Sequence, residues 1–292
     1  MNQMNNGREK LPWSEETWNA VDQEVHDQVK RVARVRQVIQ PKMTAMDALT
    51  VPSNPFSVED GALTSDEAGT ERVFELEARF SLTQQQIARV EQGDITIQIL
   101  AGRAAEEAAF AEDLVLLTGA LNGNGQQGLS EIVKLRSGNP SVGLLDAAKT
   151  TIQVSFRNAD ELTFGENTYN AIIDAVAKLI EVGENGEYAG LFSFDTFADL
   201  NKSLPDRLDT PHDRAKEVLT AGIYSTGAMP KNTGLILSLG GHPFDLFVAK
   251  DFTTVFNFID QSGDHRFQVC GRDALVIRVP EALVKLKFAS TN

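Results

Sequence analysis

Gly123, Gly125 and Gly128 spell a G-x-G-x-x-G run, a spacing whose bare backbone can approach a dinucleotide pyrophosphate. That chemistry needs a strand feeding the loop and a helix leaving it, because the helix N-terminus holds the phosphate. Here a helix-forming stretch enters and the strand-like Ile132 to Leu135 leaves. The glycines therefore read as a helix C-cap and turn. Glu106, Glu107, Glu112 and Asp113 share one helical stretch and suggest a carboxylate iron site. Such sites add Glu-x-x-His pairs from facing helices, and the sequence has none; His26, His212, His242 and His265 are scattered without metal-ligand spacing. The acidic run reads instead as a solvated stripe. No G-x-S-x-G elbow occurs, and Cys270 lies in a strand-like stretch, where a thiol packs as a small hydrophobe. Asp209, His212 and Asp213 cluster after Pro205, but neighbours in sequence do not assign a triad. The expectation is a protein with no catalytic site, no cofactor and no metal.

The elements around these residues are more informative. Leu11 to Val25 reads LPWSEETWNAVDQEV. Ser14 can cap a helix after Pro12, Glu15 and Glu16 suit the positive end of its dipole, and Trp18, Val21, Val25, Val29 and Val32 recur at helical spacing. The pattern dissolves from Pro41 to about Glu71, and Arg72 to Leu82 then alternates as a strand. Gln84 to Gln92 reads as a short helix. Ile97 to Ala120 is the strongest helix, rich in Ala and Leu. From Ser130 to Thr226 strand and helix alternate; beyond Leu235 the chain is strand-rich. It ends on FQVCGRDALVIRVPEALVKLKF, where the Pro280-Glu281 break separates two strands and Val284, Leu286 and Phe288 alternate with Lys285 and Lys287.

Composition narrows the class. The chain has 292 residues, 42% of them hydrophobic, with 41 acids against 27 bases and a net charge of −14. That balance argues against a surface built for polyanions, since counterion release needs clustered Lys and Arg. The nearest approach is Lys30, Arg31, Arg34 and Arg36 on the flank of the first helix, which reads as a solvated flank. One cysteine excludes an internal disulfide framework and fits a reducing compartment. No apolar run reaches a membrane span, and MNQMNNGREK lacks a signal-peptide core, so a cytoplasmic protein is expected.

Taken in order, the Pro-acidic-Trp helix, the Ala104 to Leu129 helix-plus-glycine passage and the terminal strand pair resemble the encapsulin shell proteins, the linocin-like family that shares the tailed-phage major capsid fold. The resemblance implies an α+β fold of the Hong Kong 97 type. It implies an N-terminal helix region over 1–40, an E-loop arm lying on a neighbouring subunit over 41–82, a P-domain with spine helix over 83–129, an A-domain over 130–234 and P-domain strands over 235–292. The partners implied are identical subunits in an icosahedral shell and a cargo protein held by a terminal targeting peptide. In the family the first helix helps form the cargo groove, which here implicates Trp13, Trp18, Val21, Val25 and Val29. On the residues alone, the two tryptophans read as core. A-domain loops meet at symmetry axes, which makes Pro205, Asp206, Arg207, Asp209, His212 and Asp213 a pore loop.

Departures keep a second reading open. Compact encapsulins carry a Gly-Pro-aromatic-Gly motif where this chain reads QPKMTAMD, and Val142 to Glu166 is longer than in those shells. Some members stack a flavin in a segment like FTLDLW; the corresponding FSLTQQ, Phe80 to Gln85, lacks the stacking face, so no flavin is expected by that route. The alternative is the major capsid protein of a tailed phage, packaging DNA with portal, decoration or scaffolding proteins in a virion.

Overall fold

The computed structural model describes residues 7–59, 62–65, 69–121, 130–138, 142–155, 165–202 and 208–289. A 3-10 turn at Arg8–Lys10 leads into α1, Glu15–Val32. Ser14 caps it as the sequence predicts, its Oγ accepting the Thr17 N–H at 3.1 Å. One further turn, α2 (Val35–Val38), and a short strand, β1 (Pro41–Met43), complete the N-terminal region. The arm follows as β2 (Thr50–Pro52), β3 (Phe56–Glu59), β4 (Ala62–Ser65) and β5 (Thr70–Arg72), with β2 antiparallel to β5 and β3 antiparallel to β4. Then come β6 (Phe74–Leu82), α3 (Gln84–Val90) and α4 (Thr96–Thr118). The middle alternates as expected: β7 (Val133–Ser137), α5 (Leu144–Ala147), β8 (Thr150–Val154), α6 (Glu166–Glu181), β9 (Tyr188–Phe192), α7 (Phe194–Leu200), α8 (Pro211–Lys216) and β10 (Gly222–Ser225). The last strands are β11 (Thr233–Ser238), β12 (Phe244–Ile259), β13 (His265–Ile277) and β14 (Leu283–Phe288).

Two five-stranded sheets organise these elements, in the orders β1-β12-β13-β6-β7 and β10-β9-β11-β14-β8. In the first, Phe74, Leu76, Ala78 and Leu82 of β6 point one way and are fully buried, covered by α4 and its neighbour α1. A strand buried on one face shows period-two alternation, which is the pattern in Arg72 to Leu82. That alternation is expected to mark the returning strand of the arm, and the structure corrects this: β6 lies between β13 and β7, and β5 is the strand that returns the arm. The expected final strand pair is also re-sorted, because β13 pairs with β12 and β6 whereas β14 pairs with β11 and β8 in the second sheet. Sheet membership thus crosses the boundaries read at 130 and 234: β7 joins the first sheet, and β11 and β14 join the second. The second sheet carries α6 against its own apolar cluster, with Phe192, Ile236 and Leu286 fully buried.

Small side chains set the spacing around α4. Ala101, Ala104, Ala105, Ala108, Ala109 and Ala111 are all buried, so α1 and the sheet both approach the helix closely. At Gly102 an added Cβ would stand 2.9 Å from Glu24 Oε1 of α1. The helix stops at Gly119, whose φ of 76° suits a residue without Cβ and whose N–H bonds Val115 O at 2.8 Å.

Candidate functional site

The apolar stripe of α1 has one place to go. Trp18, Val21, Val25 and Val29 are buried against α4 and the first sheet, as a single amphipathic face must be. Trp13 joins them just before the helix. Its ring lies parallel to Phe267 at 5.7 Å and tilted to Trp18 at 5.0 Å, and its indole N–H donates to Ile87 O at 3.4 Å. Phe267 is in turn stacked on Phe80 at 5.2 Å and meets the edge of Phe256 at 5.3 Å. The guanidinium of Arg8 caps the cluster 4.6 Å above Trp18 while pairing with Asp22 at 2.6 Å. The cargo-groove assignment of Trp13, Trp18, Val21 and Val25 is therefore corrected: these side chains are occupied in the subunit core. Val29, the fifth, is also buried yet touches an open groove.

That groove, of about 300 Å³, opens where α1, α2, β1 and β12 converge. Val29, Ala33, Pro41, Met43 and Val248 form its apolar surface; His26, Lys30, Arg36, Gln37 and Asp251 form its polar margin. Met43 stands 71% exposed, an uncovered apolar side chain on a three-residue edge strand. The register Met43 to Val248 places both beside α1. Nothing in the sequence marks this groove, since Pro41 to Met43 shows no periodicity and its pairing partner lies about two hundred residues away.

Two of the basic residues beside the groove, Arg31 and Arg36, are committed to carboxylates. Arg36 donates to Glu112 through Nε and Nη2, each at 2.8 Å, to Asp251 at 2.7 Å and to Asp273 at 3.2 Å. Its ring neighbour is Phe252, 5.2 Å away. Arg31 is ion-paired with Glu106, and Arg34 donates to Gln37 at 3.1 Å. The solvated-stripe expectation for the acids of α4 fails for the same reason. Glu112 and Asp113 are fully buried; Asp113 accepts the Arg34 and Val35 N–H groups, each at 2.9 Å, and the Thr226 hydroxyl at 3.1 Å. Only Glu106 and Glu107 keep partial exposure, shared with Arg103.

Other candidates resolve differently. Pro205, Asp206 and Arg207 lie outside the described residues, as do Gly123, Gly125 and Gly128. Asp213 and Thr210 cap α8 reciprocally, the Asp213 N–H reaching Thr210 Oγ1 at 3.2 Å. The bonds from Thr210 hold the Asp213 carboxyl below its ordinary range. His212 lies edge-on to Phe197 at 5.4 Å, and burial and then Lys216 lower its pKa. Asp209 meets Arg214 at 3.4 Å, which also bonds Glu166 at 2.5 Å. These contacts tie α8 to α6 and account for the polarity of 209–213 without a reaction. Cys270 is buried beside Lys250, Nζ to Sγ 3.2 Å, and burial pushes its thiol up, away from a nucleophile's range. Among the described residues no group of acids, histidines and cysteine could hold a metal ion, and no helix is long and apolar enough to cross a membrane.

A sheet with long central strands, a buried spine helix, a projecting arm and a second sheet on its flank define a shell-protein fold. The virus-like particle of Pyrococcus furiosus matches it with a TM-score of 0.69 at 16% identity, over 93% of this chain and all of that one. The capsid of Myoviridae phage XM1 matches with a TM-score of 0.56 at 13% identity, over 88% and 92%. A diheme-cytochrome-encapsulin shell fusion protein of Kuenenia stuttgartiensis is 27% identical over 121 residues, 41% of this chain; the match spans a third of that relative, 33%. The family described as encapsulating proteins for peroxidase matches residues 1–269, and the chain belongs to it. The family is structural.

Proposed function

We propose that the chain assembles with identical copies into a closed icosahedral shell of the encapsulin type, in the cytoplasm, that encloses cargo protein and does no catalysis itself. The supporting observation is the family match across 1–269 on a capsid fold whose N-terminal helix is docked beside an open apolar groove. Closed symmetry lets each copy bury the same complementary surfaces, and many contacts add to a stable cage. The arm, 76% exposed at Leu49, reaches for a neighbour. Its root is fixed by Arg272, which donates to Met46 O at 2.6 Å and Ala48 O at 2.8 Å.

The phage-head reading shares the fold, as the XM1 capsid does. Against a genome-facing role for the first helix stand the ion pairs of Arg31 and Arg36, which commit two of the four bases on that flank to carboxylates. The groove beside Met43 is the seat we assign to a cargo terminal peptide. Met43→Asp should weaken capture by roughly tenfold or more, since a buried apolar side chain is worth about 1–3 kcal/mol. Arg34→Gln at the same corner should leave capture unchanged in high salt. Pull-down of a tagged cargo peptide on assembled shells reads both; equal capture by wild type and Met43→Asp removes the groove from the account.

The arm also predicts how copies are joined. Some capsids of this fold link an arm lysine to an asparagine, but no lysine lies between Asp47 and Phe74. Shells boiled in detergent should therefore run as one monomer band, and a ladder of covalent multimers would show a link made elsewhere.

A further inference from the structure

The corner between α1 and α2 rests on a charge imbalance. Facing it are Glu112 and Asp113 from α4, Asp251 from β12 and Asp273 from β13; Arg36 of α2 is the guanidinium paired with these acids, while the Arg34 guanidinium turns to Gln37. His26 of α1 stands 4.0 Å from Asp251. Fully ionised, the three buried carboxylates of Glu112, Asp113 and Asp273 would outnumber the one guanidinium ion-paired with them, that of Arg36, in a site where Glu112 and Asp273 have no exposure. Asp273 Oδ2 is buried with no donor within reach, and the Asp273 carboxyl lies against that of Glu112. Two acceptors can share a hydrogen bond only through a proton.

We propose that this cluster is a proton-held latch, keeping the α1–α2 corner docked on α4 and β13 in neutral and mildly acid solution and releasing it in mild alkali. The titration supports the geometry. Burial, then the charge of Glu112, holds Asp273 well above its ordinary range against the pull of Arg36. Burial pushes Asp113 up to about 7, against the hydrogen bonds of Val35 and Arg34. Both docked values lie above those of a released, solvated carboxyl near about 4, so the docked corner holds protons that the released corner gives up. Release is then favoured by rising pH, by up to about tenfold per pH unit for each proton lost. For Asp113 the rise starts near about 4 and levels off near 7; Asp273 carries it further. Because Arg36 and Asp251 also wall the groove, release would dismantle the peptide seat, a consequence that rests on the cargo reading above.

Hydrogen exchange on purified full-length shells without cargo tests the latch apart from that reading. After correction for intrinsic exchange, the amides of Val35, Val38 and Ile39 should exchange up to about tenfold faster per pH unit between about pH 6 and 8, while Leu116 in α4 stays flat. Asp273→Asn, which supplies a donor and removes one charge, should flatten the rise; Glu112→Gln is the second variant should the first not fold. A protonated-carboxyl infrared band in the wild type at neutral pH, reduced in either variant, is the direct signature. Corner amides with no pH dependence in the wild type, or a slope unchanged in the folded variant, overturn the proposal.

Discussion

Arg36→Met is expected to destabilise the subunit by about 3–5 kcal/mol, the range for breaking a buried ion pair from one side. The loss comes less from the missing attraction than from what remains. Glu112 and Asp273 are buried with no exposure and would keep their desolvation cost without the guanidinium that offsets it. They would then have to be protonated to stay folded, so the defect should grow as pH rises. Replacing Glu112 and Asp273 by Leu in the same background should recover most of the loss, because an apolar trio of similar volume carries no charge to desolvate. Urea unfolding of the dissociated subunit at two pH values measures this. A loss below about 1 kcal/mol, the worth of a surface pair, would mean that Arg36 is solvated.

Phe267→Ala should cost about 3–5 kcal/mol by the usual toll of a large aromatic cavity. Phe267 is 1% exposed and touches Trp13, Phe80 and Phe256, so its removal opens the joint between the N-terminal segment and both long strands. Phe258→Ala is the contrast: its side chain is more than half exposed, and its effect on subunit stability should stay within about 0.5 kcal/mol. Thermal melts of the two variants, followed by tryptophan fluorescence, should separate them clearly. Trp13 and Trp18 report the same cluster, and a red-shifted emission in the folded Phe267→Ala subunit would show water entering it.

Much of this arrangement was legible because local rules and tertiary burial agree. Ser14 before an acidic turn marks the start of α1, and the Ala-rich run from Ile97 marks α4, whose small side chains are the ones packed closest. The long strands were harder. Lys250 and Asp251 interrupt the apolar alternation of β12, where its register to β13 shifts, so one strand reads as two. β6 was legible as a strand but not as a sheet member, because its place depends on β13, which lies far along the chain. The site was least legible. Glu112 and Asp113 are the residue types of a solvated helix flank, and their burial follows from Arg36, Thr226 and two backbone N–H groups brought from other elements. The Trp and Val stripe of α1 read from the residues as core, and only the family resemblance turned it toward a ligand; the structure buries it in the core.

Electron microscopy of the purified chain, expressed alone, tests the central claim. The account predicts closed particles of icosahedral symmetry, with the arm of one copy lying on its neighbour, and particles from the native host that hold protein cargo. Monomers or small oligomers across salt and pH would contradict it, and native particles filled with double-stranded DNA and no protein cargo would establish the phage-head alternative.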